Sequence, residues 1–474
     1  MAKRAAQQTT IGSLARAIHS FDAASVSPAA IQQTKLLLLD TIGCGFAGGV
    51  ELRRGPDPTG IFPKAGSAGQ DPVCAIIGSR ALTGLYAATV FNGLLIRWLD
   101  LNDYLVGEAH GEPESAGHPS DNIPVALAVG SARKRSGRDI LSAIVLGYEL
   151  YARLQHAMDR GGRWDGVTVS GLVAPAMAGW LMDLPEEKLA HALALGAMRS
   201  ATPSIVRSGY ISSAKSVANA WVAQSGVQAA LWAERRITGP LAILDDARGL
   251  RDIFAQAEPS SLSAPFPHEG AIMRAHVKAY PCINTGQSAV AAALELHALL
   301  KRDASSLARI EVTMADYTVT RRHQDDPDRV HPVSRESADH SFTFIVAVSL
   351  IDGQFGPAQF EGERWRDPAV TSLMSKIVLR RDAAWNTRAP GSYPCSIRAT
   401  DAQGKEHVVE VPYPPGYSRS RLDAKIVLDK FRAVTNSILS RADRTRIENA
   451  VMDFDNHPSA ETLNNAIAIE GTAT

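Results

Sequence analysis

From residue 82 to 255 one pattern recurs: apolar residues at three- and four-residue spacing, with alanine and glycine crowded onto the apolar faces, as in GLLIRWL, AIVLGYEL and ANAWVAQSGVQAALWA. That spacing predicts helices over 82–99, 121–136, 138–157, 167–183, 185–199, 212–236 and 240–255. Period-2 alternation is scarce there. Small residues on the apolar faces allow close helix contacts, so a large all-helical domain is expected. Two more helices are expected over 10–48, where Ser27-Pro28 supplies a start signal with Pro at the first helical position. Residues 50–80 read as a loop region with short extended pieces such as VCAII.

The run Gly43-Cys44-Gly45-Phe46-Ala47-Gly48 matches G-x-G-x-x-G literally. The dinucleotide fingerprint needs a strand before it and a helix opening after it. Here a helical pattern precedes it and the loop ELRRGPDPTG follows. Glycines that let two helices pack closely are the better reading.

The pattern changes near Leu262. SLSAPFPHEGAI is a Pro-rich linker. After it come a helix at about 285–301, an alternating strand in ARIEVTMADYTV, a polar loop over 320–336 and a helix over 338–352. KIVLRRD follows, and YPCSIRATD-AQGK-EHVVEVPYP reads as a β-hairpin with Gly404 in its turn. Beyond Pro412 to Tyr417 the chain returns to helix. The fold class is therefore mainly α with a smaller α+β domain: an all-helical main domain over 1–262, an α+β domain over 263–415, and C-terminal helices over 416–474. A length of 474 residues accords with two or three domains.

Several functions are disfavoured at once. Lys plus Arg and Asp plus Glu are 49 each, so the basic excess of a general nucleic-acid binder is missing. Cys44, Cys74, Cys282 and Cys395 stand far apart, without zinc-ribbon or iron–sulfur spacing, and a reducing, cytoplasmic location is expected. No run of 18 apolar residues occurs. Lys3 and Arg4 are not followed by an apolar stretch, which argues against a secretory signal. The absence of acids before Asp22 leaves an organellar transit peptide open. There is no P-loop, no H-E-x-x-H and no nucleophile elbow.

Chemistry concentrates in Arg97 to Pro124, RWLDLNDYLVGEAHGEPESAGHPSDNIP, an acid- and histidine-rich stretch between two apolar helical patterns. A solvated surface loop is the plain alternative. Asp100 and Asp103 follow a helix end, where carboxylates are disfavoured by about 0.3–1 kcal/mol. His118 lies just before a helix entry, a place suited to anions, while Ser120 or Asp121 has the option of capping that helix. Lys215 and Lys278 sit in apolar stretches, SSAKSVANAW and AHVKAYPC, where a cation is costly unless paired; snorkelling to the surface is the alternative. Tyr317, Arg321, Arg322 and His323 follow a strand. Arg335, Asp339 and His340 precede a helix that Asp339 is placed to cap. Trp164-Asp165 is placed to line a pocket or to cap a helix from Val167. Acids, histidines, lysines and a tyrosine suit proton abstraction beside a carboxylate, with cations holding the anion.

Taken in order, LLLLDTIGCGFAGG, NGLLIRWLDLND, GHPSDNIPVALAVG, ILSAIVLGYELYARL, RWDGVT, AKSVANAWVAQSGVQAALWAERRITGP, VKAYPCINTGQSAVAAALEL and RESADHSFTFIVAVSLIDG resemble the MmgE/PrpD family. Its members include 2-methylcitrate dehydratase, cis-aconitate decarboxylase and iminodisuccinate epimerase, and WLDxND…HPSDN and RExADHS look most like the first branch. The resemblance implies a helical domain completed by the C-terminal helices, an inserted α+β lid, a homodimer, and neither metal nor organic cofactor. It implies a lyase acting on a small di- or tricarboxylate, with an epimerase, a decarboxylase or a non-catalytic binding protein as alternatives. It carries catalytic roles to Asp100, His118, Lys215 and Lys278, more loosely to Tyr317, and a site-lining role to Tyr104. Trp164, Arg321 and His340 join Tyr104 as expected substrate-binding residues. Three departures stand out. Gly166, and the region of Ile283, Asn284 and Thr285, replace histidines usual in the dehydratase and decarboxylase relatives. The stretch from Asp103 to His118 is longer than usual, so Glu108, His110, Glu112 and Glu114 read as a specificity or surface feature.

Overall fold

The computed structural model describes residues 9–54, 74–109, 112–115, 117–158, 163–255, 258–301, 303–389, 391–418 and 421–469. It is mostly helical with small sheets. At its centre runs the helix Pro28–Arg54, buried at every position from Gln33 to Gly49. A helix that is apolar all round has to be surrounded, and glycines make the surrounding close. A Cβ on Gly48 would lie 2.0 Å from the Leu95 carbonyl oxygen, and one on Gly43 3.0 Å from the Phe431 ring. The glycine run is thus the seat of the helices Leu85–Arg97 and Ala424–Thr435. A second packed group comprises Ser170–Leu181, Glu186–Ala197 and Ala214–Glu234. There Gly226 leaves room for Pro175, whose Cδ would be 2.7 Å from an added Cβ.

Two large apolar cores result among the described residues. One draws on residues between Ile11 and Val277 and again between Leu422 and Ile467. The other lies between Cys282 and Val409. In the second, the helices Gln287–Leu299 and Phe342–Asp352 cover a four-stranded sheet, ordered Ile377–Asp382, Leu307–Ala315, Cys395–Asp401, Glu406–Val411. The first pair is parallel and the others antiparallel. Gly404, at φ +80°, turns the expected hairpin.

Three expected elements differ. Residues 240–255 are turns ending in the 3-10 segment Arg251–Ile253 rather than a helix. Gly249 closes tightly on Ile243, whose carbonyl accepts from Leu250 N–H at 2.7 Å. The polar stretch 320–336 is not a loop. It holds the helices Thr318–Asp325, Pro327–Val330 and Arg335–Ala338, and Asp326 and Ser334 cap the last two. The region after Asp103 forms a hairpin of Tyr104–Ala109 with Glu112–Ser115, and Tyr104 also pairs with His276. His110 lies outside the described residues, as do the side chains of Glu108, Glu112 and Glu114.

Candidate active site

The site is built around one irregular turn. The helix Leu85–Arg97 ends and Asp100 adopts φ +52°, a left-handed conformation uncommon outside glycine but more accessible to Asp than to most residues. Three buried cations hold it there. Arg97 Nη1 pairs with Asp100 Oδ1 and donates to Asn102 Oδ1 at 3.2 Å. Lys278 Nζ donates to the Asp100 carbonyl at 2.7 Å and to Oδ1 at 2.5 Å. Lys215 Nζ stands 3.6 Å from Oδ2. Burial disfavours the Asp100 carboxylate, but Arg97, Lys278 and Lys215 outweigh it and hold its pKa well below the usual range.

Lys215 lies in the first turn of the helix Ala214–Glu234, where a cation meets the wrong end of the helix dipole. Its compensation is tertiary. Both Asp339 oxygens accept from Nζ at 2.6 Å, and His340 Nδ1 is 3.3 Å away. Burial lowers the pKa of Lys215 and of Lys278, with Asp339 and Asp100 opposing. Asp339 therefore does not cap the following helix. Ser341 does, accepting from Phe344 N–H at 3.2 Å. Asp100, Asp339 and His340 offer ligand atoms within 4.8 Å of one another, a spacing suited to a cation. The Lys215 ammonium already serves these groups.

His118 precedes the 3-10 turn Pro119–Asn122. Its Nδ1 is 2.6 Å from the Asp103 carbonyl oxygen. A carbonyl only accepts, so Nδ1 carries the proton and Nε2 keeps its lone pair, 3.8 Å from Asp100 Oδ1. Burial, with Arg97 and Lys278 nearby, holds the His118 pKa well below its ordinary value. Burial also pushes the Asp103 carboxyl up to about 7, although Ser120 N–H and the Tyr148 hydroxyl donate to it. Neither Ser120 nor Asp121 caps the next helix. Asn102 Nδ2 donates at 2.8 Å to Ser120 Oγ and to Asp121 Oδ1, and Asp121 faces Arg97 Nε at 3.7 Å.

These groups open onto a cavity of about 180 Å³. Of the residues singled out in the sequence, Asp100, His118, Lys278, Trp164 and His340 line it, and Lys215 stands behind them. Three others are elsewhere. Tyr104 is buried in strand pairing with its ring against His276. Tyr317 packs against Tyr393 in a small separate cluster. Arg321 is exposed, 3.6 Å from Asp316. Its neighbour Arg322 reaches the cavity instead, with Arg207 and Arg329. Arg97 and Asp339 also emerge as site residues that sequence order left as a helix tail and a cap. Asp165 both caps, accepting from Val167 N–H at 3.0 Å, and pairs with Arg207 at 2.7 Å. Gly166, Ile283 and Asn284 line the cavity. A Cβ on Gly166 would come within 2.9 Å of the Gln155 amide, so Gln155 holds the space that a side chain at 166 would need.

Comparison with known proteins gives a consistent result. The MmgE/PrpD N-terminal domain matches residues 12–263 and the MmgE/PrpD C-terminal domain residues 280–456. Human cis-aconitate decarboxylase is 26% identical, covering 90% of this chain and 88% of the relative. The 2-methylcitrate dehydratase of Salmonella typhimurium is 26% identical, covering 88% and 87%. That of Cupriavidus necator is 25% identical, covering 83% and 84%.

Proposed function

The chain belongs to the MmgE/PrpD family, and from that premise we propose that it is a cofactor-independent lyase that removes water from a small di- or tricarboxylate of the 2-methylcitrate type. The observation that carries this reading is the His118 tautomer beside a cation-held Asp100. Asp100 turns its two oxygens to Arg97, Lys278 and Lys215, which makes it an anchor for those cations rather than the base. His118, neutral at neutral pH with Nε2 free of its own proton, suits removal of a proton alpha to a carboxylate, a role worth about 10²–10⁴-fold. The electron pair passes into the adjacent carboxylate as enolate-like charge, which Lys278 and Arg97 stabilise. The charge then returns to form the double bond as the C–O bond breaks, and the His118 proton leaves with the hydroxyl as water. In this reading the second core, which brings Asp339 and His340, closes over the helical part as a lid.

Incubation of purified protein with 2-methylcitrate, followed by alkene absorbance, tests the reading. Alkene formation that falls at least a hundredfold in His118→Gln is expected. Folded protein without activity in either direction contradicts it. Decarboxylation is the second reading, favoured by the human relative. Carbon dioxide release from cis-aconitate distinguishes it.

We further propose that a second copy of the chain covers Ile205, Tyr210 and Trp221, large apolar side chains that are 69%, 68% and 61% exposed. Ser204, Arg207 and Ser208, on the same segment, line the cavity. Sedimentation is expected to show a dimer, lost in Trp221→Glu. A monomeric wild type contradicts this.

A further inference from the structure

Among the described residues, the buried cations are closely matched, with one exception. Arg97, Lys215, Lys278, Lys35 and Lys430 each have a carboxylate oxygen within 2.6 Å. Arg329, 6% exposed and lining the cavity, does not. Its nearest carboxylate among the described residues is Asp326, at 3.6 Å and partly open to solvent. Among the described residues its Nε finds no hydrogen-bond acceptor. Burial pushes the guanidinium down to about 10, and Arg322, which also lines the cavity, adds to the effect. A guanidinium presents five N–H donors in a fixed fork suited to a carboxylate, and leaving one desolvated and under-matched is costly.

The arrangement around it fixes its aim. Arg329 Nη1 donates to His323 Nδ1 at 3.2 Å. With Nδ1 accepting, His323 carries its proton on Nε2, which lies 2.8 Å from Thr285 Oγ1. His323 is fully buried and its ring lies 4.4 Å from that of Phe342. This neutral support orients the guanidinium without neutralising it.

We propose that Arg329, oriented by His323 and Thr285 and flanked by Arg322, is a binding site for a substrate carboxylate other than the one held beside Lys278. The site makes an additional carboxylate a requirement for tight binding. The inference rests on the carboxylate-lyase reading above and deepens it by assigning where specificity arises. A guanidinium that matters for ligand rather than for folding makes two demands together. Removing it weakens the ligand, and the ligand-free protein unfolds no earlier, because an under-matched buried charge has gone.

The test uses tricarballylate, a tricarboxylate with no hydroxyl to eliminate, measured by calorimetry and thermal unfolding on the full chain. Arg329→Met is expected to bind roughly 10- to 100-fold more weakly, the span of one charge-assisted hydrogen-bonded contact, with the ligand-free unfolding temperature unchanged or higher. Arg329→Lys, which keeps the charge but loses the fork, is expected to fall between the two. Affinity of Arg329→Met within threefold of wild type overturns the proposal, since the anion then sits elsewhere. An earlier unfolding of ligand-free Arg329→Met also overturns it, since the guanidinium is then structural. A wild-type protein that does not bind tricarballylate removes the carboxylate reading of the whole cavity, a failure distinct from that of Arg329 alone.

Discussion

Two buried lysine–aspartate systems lie back to back across one residue, and only one of them meets the cavity. Behind the Asp100 turn, Lys430 pairs with Asp40 at 2.6 Å and donates to the Leu101 carbonyl at 2.8 Å. In front of it, Lys278 and Lys215 serve Asp100 and Asp339. Both systems are almost fully dehydrated. The rear pair is closed and pairwise: Lys430 is the cation that opposes the rise of the Asp40 pKa through burial. The front system is shared among Arg97, Lys215, Lys278, Asp100 and Asp339 and faces open space. Burial of charge is therefore common to both systems, and what sets the front one apart is that its charge is shared beside a cavity.

The largest expected effect breaks the rear pair. Lys430→Met strands Asp40 and is expected to cost about 3–5 kcal/mol, the range for removing one partner of a buried ion pair. Urea unfolding measures it, and Asp40→Leu added to Lys430→Met is expected to recover most of the loss. No recovery would mean that the Leu101 contact, not the pair, supplies the stability. In the front system Lys278→Met leaves Asp100 with Arg97 and Lys215. Its unfolding free energy is expected to change less than that of Lys430→Met, while kcat/KM drops about 10²–10³-fold, as when one preorganised donor to developing charge is removed. Equal stability losses in the two variants would erase the distinction.

The pH profile sharpens the comparison. The His118 pKa is depressed, so the limb of kcat/KM that His118 sets is expected below pH 6.5. A limb centred at 6.5 or above contradicts the assignment. The smallest effect is on stability. His340 is lowered to about 4 by burial and by Lys215. Between pH 6.5 and about 4 the unfolded chain binds this proton and the native chain does not, so stability falls as pH falls through that window. Chemical unfolding of wild type and His340→Gln at pH 7 and 5 is expected to show a shallower pH dependence in the variant.

The helical scaffold was legible because apolar spacing and close-packing glycines act locally, and the Gly404 hairpin for the same reason. Asp100 and His118 were singled out through the resemblance of WLDLND and GHPSDN to family stretches, and both line the cavity. Arg97 and Asp339 were not, because sequence alone shows a helix tail and a residue before a helix, and only tertiary pairing reveals their use. The Arg321 and Arg322 case is a matter of phase. Read as a loop, 320–336 offers no reason to prefer either arginine. As the helix Thr318–Asp325 it turns adjacent side chains about 100° apart, since a helix has about 3.6 residues per turn, and Arg322 takes the cavity side. The turns over 240–255 were hidden by a contact of Gly249 with Ile243 that propensity does not encode.

Proton NMR in heavy water tests the central claim most directly. Wild-type protein, Lys278→Met and His118→Gln are each incubated with 2-methylcitrate and with cis-aconitate, and substrate and product carbons are followed. The account predicts that wild type forms vinyl product or incorporates deuterium alpha to a carboxylate, and that both variants lose it at least a hundredfold. Deuterium incorporation that survives His118→Gln at the wild-type rate would contradict the account.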